Sequence, residues 1–173
     1  GRVNLGTVTG NNATGAVVGN RYVGGLFGRL YNGVLTGSNA TTNTVTALTG
    51  AYTGGLVGYL EGSSSVLKNS SHTTGLVKGI SYVGGLIGQS EGTVGETVAS
   101  NTPTYSTYVS SSVEASGNYV GGLIGYATGG SVTNSSVSGT VTGYTVSGVK
   151  GYGASYVGGL IGQTNVASSW NRY

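Results

Sequence analysis

Apolar residues in this chain come in short runs separated by Gly, Ser, Thr and Asn, a pattern that predicts strands and turns and no helix. One run recurs. Tyr22-Val23-Gly24-Gly25-Leu26-Phe27-Gly28 returns at residues 52–58 (YTGGLVG), 82–88, 119–125 and 156–162 (all YVGGLIG), with starts 30, 30, 37 and 37 residues apart. A period in that range predicts one supersecondary unit stacked on its own copies.

The heptad is built of residues that favour half-buried strands, interrupted by two adjacent glycines. Such a pair marks either a bulge or the close approach of another backbone. A bulge is the expectation, because it lets Val23 and Leu26 point the same way. The closing glycine is expected at a turn with positive φ. If the copies lie in register, the five tyrosines form a ladder that seals one corner of the core. The positions that define the repeat are Tyr22, Gly24, Gly25, Leu26 and Gly28 in the first copy and Tyr52, Gly54, Gly55, Leu56 and Gly58 in the second. They are Tyr82, Gly84, Gly85, Leu86 and Gly88 in the third and Tyr119, Gly121, Gly122, Leu123 and Gly125 in the fourth. In the fifth they are Tyr156, Gly158, Gly159, Leu160 and Gly162.

Each heptad leads into a polar stretch (RLYNG, YLEG, QSEG, YATGG) that reads as a turn. A second strand-like run follows, as at Val34-Leu35-Thr36 and Val66-Leu67-Lys68. A third comes after a turn of Asn, Ser and Gly, as at residues 44–48 and 75–77. This predicts an all-β solenoid, a parallel β-helix of about three short strands per turn and roughly five to six turns. Residues 1–173 form one repeat domain, with 1–21 as the tail of a further repeat. The longer periods carry their surplus around residues 101–104 and 146–154, and Trp170 is placed to cover the end of the core.

Composition narrows the class. The chain has 36 glycines, 13 tyrosines, no Cys, and charged residues at only 6%, so hydroxyls and amides cover the surface in place of charge. The steady return of Val, Leu and Ile argues against disorder. The seven basic residues are scattered singly, which argues against a nucleic-acid partner. No apolar run is long enough for a transmembrane helix. Without an initiator Met or a signal peptide the chain reads as a mature segment or a piece of something longer.

Five copies of Y-[VT]-G-G-L-[FVI]-G, followed by V-x-N turns and T-x-T-G strands, resemble the GLUG motif, named for its Gly-Leu-x-Gly core, here Gly25-Leu26-Phe27-Gly28. Ser169-Trp170-Asn171 is similar to an element that often follows such repeats. The motif recurs in large bacterial surface proteins, including filamentous adhesins and streptococcal immunoglobulin A peptidases. The resemblance implies an extracellular, cell-surface β-solenoid. The peptidase activity belongs to a separate zinc domain with H-E-x-x-H and does not carry over to a chain whose one histidine is His72.

No catalytic constellation emerges, and no enzyme activity or cofactor is expected. Gly88-Gln89-Ser90-Glu91-Gly92 fits G-x-S-x-G but lacks the strand–turn–helix setting of a nucleophile elbow. His72 reads as a solvated loop residue. One His without Cys or Asp cannot make a zinc site or the calcium β-roll. Asn12, Asn39, Asn69 and Asn134 open N-x-[ST] sequons, but such residues also belong to turns, where inward Asn can ladder. Glu61 and Glu91 occupy equivalent positions one period apart, the one carboxylate pair a carbohydrate-active enzyme would use, and read as turn surface. Thr7-Val8-Thr9, Thr44-Val45-Thr46 and Thr140-Val141-Thr142 offer an alternative, ice or crystal binding by a threonine face. The leading expectation is a non-catalytic structural and adhesive rod. Its expected contacts are self-association, by end-to-end or face-to-face stacking, and a host-surface or glycan partner.

Overall fold

The computed structural model describes residues 1–41, 44–96, 107–144 and 155–165. Among them every named strand pairs in parallel with its equivalents one coil away. The result is a β-solenoid of five ladders. In chain order, sheet 1 runs through Arg2–Asn4, Phe27–Tyr31, Val57–Glu61, Ile87–Ser90, Ile124–Ala127 and Ile161–Thr164. Sheet 2 starts at Thr7–Thr9, sheet 3 at Asn12–Thr14, sheet 4 at Val17–Gly19 and sheet 5 at Val23–Gly24. Sheet 1 holds six strands, sheet 2 four and the others five each, so the stack is four to six strands deep.

A full turn therefore has five strands where the sequence suggests three. Two causes account for the difference. The heptad is itself two strands, Val23–Gly24 in sheet 5 and Phe27–Tyr31 in sheet 1, with a bend at Gly25 and Leu26. The polar stretch after the heptad is thus strand, and Leu30 and Leu60 within it are fully buried. The second cause is sheet 3. Asn12–Thr14 and Asn39–Thr41 read as turns because only one side chain per strand points inward, Ala13 or Ala40, and Ser70–Thr73 because its inward residues, Ser70 and His72, are polar.

The bend divides the core. Leu56, Val57, Leu86, Ile87, Leu123 and Ile124 belong to the main cluster, with Leu30, Leu35, Leu60, Leu67 and Val94. Val83 and Val120 pack instead with Val77, Val113 and Ala115 of sheet 4, and Val23 with Val45 and Ala47. The second and fifth heptad positions hence point into different clusters, against the bulge expectation. The glycines exist for backbone approach. A Cβ on Gly54 would stand 2.0 Å from the Val57 carbonyl oxygen and 2.7 Å from that of Leu86, where no side chain fits.

Positive φ falls elsewhere than expected. The five heptad tyrosines carry it, from 53° at Tyr22 to 68° at Tyr52, while the closing heptad glycines do not. Other corners turn the same way: Leu5, Asn32 and Gly62 after sheet 1, and Gly10, Gly37, Asn69, Gly95 and Asn134 after sheet 2. Local left-handed residues let a strand of three or four residues end and the next begin at a new angle. The surplus segments around 101–104 and 146–154, and Trp170, lie outside the described residues.

Candidate functional site

The tyrosine corner is the richest side-chain assembly in the fold. Positive φ at the entry to sheet 5 throws each heptad tyrosine outward, and the in-register coils bring the rings together. Tyr22–Tyr52, Tyr52–Tyr82, Tyr82–Tyr119 and Tyr119–Tyr156 have centroids 5.2, 4.9, 4.8 and 5.3 Å apart. The outer row of sheet 1 runs beside them as Arg2, Arg29, Tyr59, Gln89, Tyr126 and Gln163, one residue per coil. Two of these, Tyr59 and Tyr126, join the stack, at 5.3 Å from Tyr52 and 4.9 Å from Tyr119 respectively. The sequence shows the five repeated tyrosines; it hides Tyr59 and Tyr126, which fall in the stretch read as a turn.

Charge is arranged around the rings. Arg29 pairs with Glu61 and lies 5.9 Å from the centroids of Tyr22 and Tyr59, while Arg21 lies 5.0 Å over Tyr22. The Glu61 hydrogen bond raises the Arg29 pKa. Glu91 accepts from the Tyr59 hydroxyl and, at 2.8 Å, from the Gly62 N–H. Burial, then that carboxylate, pushes the Tyr59 phenol well above its ordinary value. Burial also raises the Tyr82 pKa, with Tyr119 adding to it. Glu61 and Glu91 sit on neighbouring coils as the sequence suggests, each engaged by its own partner, one by a cation and the other by a phenol.

The remaining candidates are placed as follows. Ser90 of the G-x-S-x-G match is an inward residue of sheet 1, 1% exposed, and its Oγ donates to the Gly92 carbonyl oxygen at 3.2 Å. His72 is not a solvated loop residue: it is fully buried on sheet 3, between Ala40 and Val109 in register, with Nδ1 2.7 Å from Ser111 Oγ. Its neighbourhood of Ser and Thr misled the reading, because those residues cap corners and the imidazole points in. Thr7-Val8-Thr9 lies on sheet 2, whereas Thr44-Val45-Thr46 and Val141–Gly143 belong to sheet 4, so the three triplets do not share a face. Among the described residues no three His, Cys, Asp or Glu side chains cluster as metal ligands.

The sequons have a backbone explanation. Asn69 and Asn134 are left-handed corner residues, and the Ser after each is the corner's hydrogen-bonding residue. Ser70 Oγ donates to the Lys68 carbonyl at 2.8 Å and accepts from the Ser38 N–H at 3.1 Å, and Ser135 Oγ donates to the Thr133 carbonyl at 2.8 Å. Asn12 and Asn39 are outer residues of sheet 3, not an inward ladder; Asn39 accepts from Ser71 at 2.7 Å.

Residues 116–142, which contain the fourth heptad, match the family model of the GLUG motif. No curated protein and no solved structure matches the chain at a significant level.

Proposed function

We propose that this chain is a non-catalytic structural segment of an extracellular bacterial surface protein, a rigid solenoid that builds an adhesive rod by adding coil to coil. One observation carries the reading: the GLUG-like heptad stands at the same place in successive coils, and its backbone bonds to the next coil without a break. Leu26 and Phe27 both donate to the Leu56 carbonyl, at 3.0 and 3.1 Å, and Leu56 and Val57 repeat this with Leu86. A ladder made that way has no preferred length. Its outermost strands among the described residues, Arg2–Asn4 and Ile161–Thr164 in sheet 1, each pair on one side only. Such edges accept another coil of the same register. A host-surface or glycan partner would meet the row of Arg29, Tyr59, Gln89, Tyr126 and Gln163. It would be held there by hydrogen bonds more than by ring stacking, because the ring faces are turned toward one another.

Sedimentation over a wide concentration range, with electron microscopy of the same samples, tests the assembly. Rods that lengthen with concentration and diffract at about 4.7–4.9 Å along their axis are expected. A particle that stays monomeric at the highest concentration would overturn end-to-end growth.

A further inference from the structure

We propose that the tyrosine ladder is a site of oxidative cross-linking, in which a heme peroxidase with hydrogen peroxide joins neighbouring stacked rings into dityrosine, starting at Tyr59. The arrangement of the rings is the reason. When two phenoxyl radicals couple, each ortho carbon pyramidalises, so the first carbon–carbon bond forms along the ring normal. Rings stacked face to face are aligned for that step. Tyr22 and Tyr52 are 8° from parallel, Tyr119 and Tyr156 15°, and Tyr52 and Tyr59 17°. All of these rings except Tyr156, which is more exposed, are partly exposed at the surface. Among the described residues Tyr31, Tyr108 and Tyr144 have no ring neighbour, so one molecule carries its own controls.

Tyr59 is the starting point because its hydroxyl already donates to Glu91. As the ring loses an electron, the phenolic proton moves to that carboxylate, which spares the cost of a phenol radical cation. Tyr52 at 5.3 Å and Tyr22 at 6.0 Å are close enough to exchange the radical. Each of two tyrosines gives up one electron and one phenolic proton. The radicals join at their ortho carbons, and the hydrogen on each of those carbons shifts to the ring's oxygen as aromaticity returns. The peroxide takes the two electrons and two protons and leaves as two waters. In a chain with no cysteine, a Tyr22–Tyr52 or Tyr119–Tyr156 link closes a covalent loop across one coil and restrains the unfolded state as a disulfide would.

The test treats the folded chain with peroxidase and hydrogen peroxide across a dilution series, then maps cross-linked peptides by mass spectrometry. Dityrosine yield should not change with dilution, and the links should join Tyr22 to Tyr52, Tyr52 to Tyr59 and Tyr119 to Tyr156. In denaturing urea the selectivity should vanish. Glu91→Gln should slow the consumption of Tyr59 by roughly tenfold, the factor a charge-assisted hydrogen bond is worth. Tyr59→Phe, which keeps the ring, should slow linkage at Tyr22 and Tyr52. A yield that falls with dilution, or links spread over Tyr31, Tyr108 and Tyr144, would overturn the proposal. Unchanged oxidation of Tyr59 in Glu91→Gln would overturn its role as the starting ring.

Discussion

Gly55 and His72 fill one space between them: a Cβ on Gly55 would lie 2.2 Å from the His72 Nδ1 atom. The same position one and two coils on faces Val109, at 2.6 Å from Gly85, and Val137, at 2.7 Å from Gly122. The second glycine of the heptad is therefore where the solenoid wall comes closest to the inward column of sheet 3. A backbone oxygen presses from the next coil as well, Gly85 O at 2.1 Å from the same Cβ. Gly55→Ala is expected to cost about 3 kcal/mol, the upper range for overpacking. Adding His72→Ala should fail to rescue it, since the carbonyl remains. Urea unfolding of the single and double variants checks this, and full rescue would mean the imidazole alone sets the limit.

Thr53 stands where the other four heptads have valine, between Val23 and Val83 in sheet 5. It is fully buried, and its Oγ1 has no hydrogen-bond partner. Thr53→Val keeps the shape and removes the stranded hydroxyl. It should stabilise the fold by about 1–2 kcal/mol, read as a higher denaturation midpoint with unchanged slope. A loss of stability would show that the hydroxyl is satisfied in solution.

Leu5 makes the turn after sheet 1 at φ 48° with a side chain 75% exposed, at the corner where the next coil has Asn32. Asn tolerates that backbone better than Leu, and little packing is at stake. Leu5→Asn is expected to raise stability by about 0.5–1 kcal/mol. Thermal unfolding that shows no gain or a loss would point to a contact through the leucine.

Tyr59 and Tyr82 hold their protons more tightly in the fold than a free phenol does, chiefly because of burial. The sign follows from linkage. Below the phenol's ordinary value of about 10 both states are protonated and stability is intact; above it the unfolded chain ionises first and stability falls with rising pH. Unfolding free energy should be flat from neutral pH to about pH 9 and then decline. Tyr59→Phe should weaken the decline. A profile that rises above pH 10 would contradict the burial of these rings.

The coil was legible because the heptad repeats with its glycines and its tyrosine in phase. The number of walls was not. A three-residue strand offers one inward side chain, so Asn12–Thr14 carries no alternation to detect, and its inward Ala13 is too small to signal a core. The tyrosine positive φ was hidden for another reason: Gly is the usual choice at such a corner, and here an aromatic bears the strain where its ring gains neighbours on both sides. His72 illustrates the same limit, since a glycine on the facing wall of the coil, Gly55, makes room for it.

Between Leu30 and Leu60 the partners in sheet 1 are 30 residues apart, but in sheet 2 Val34 faces Val66, and one coil later Val66 faces Thr93. Partner spacing drifts at the corners, yet Gly54 still meets Gly84, and Gly84 meets Gly121 across a longer coil. The heptad thus acts as a clock that is reset once per revolution. Residues gained or lost at a corner leave no trace one coil further on, so such a chain can diversify its rim indefinitely while its axis keeps time.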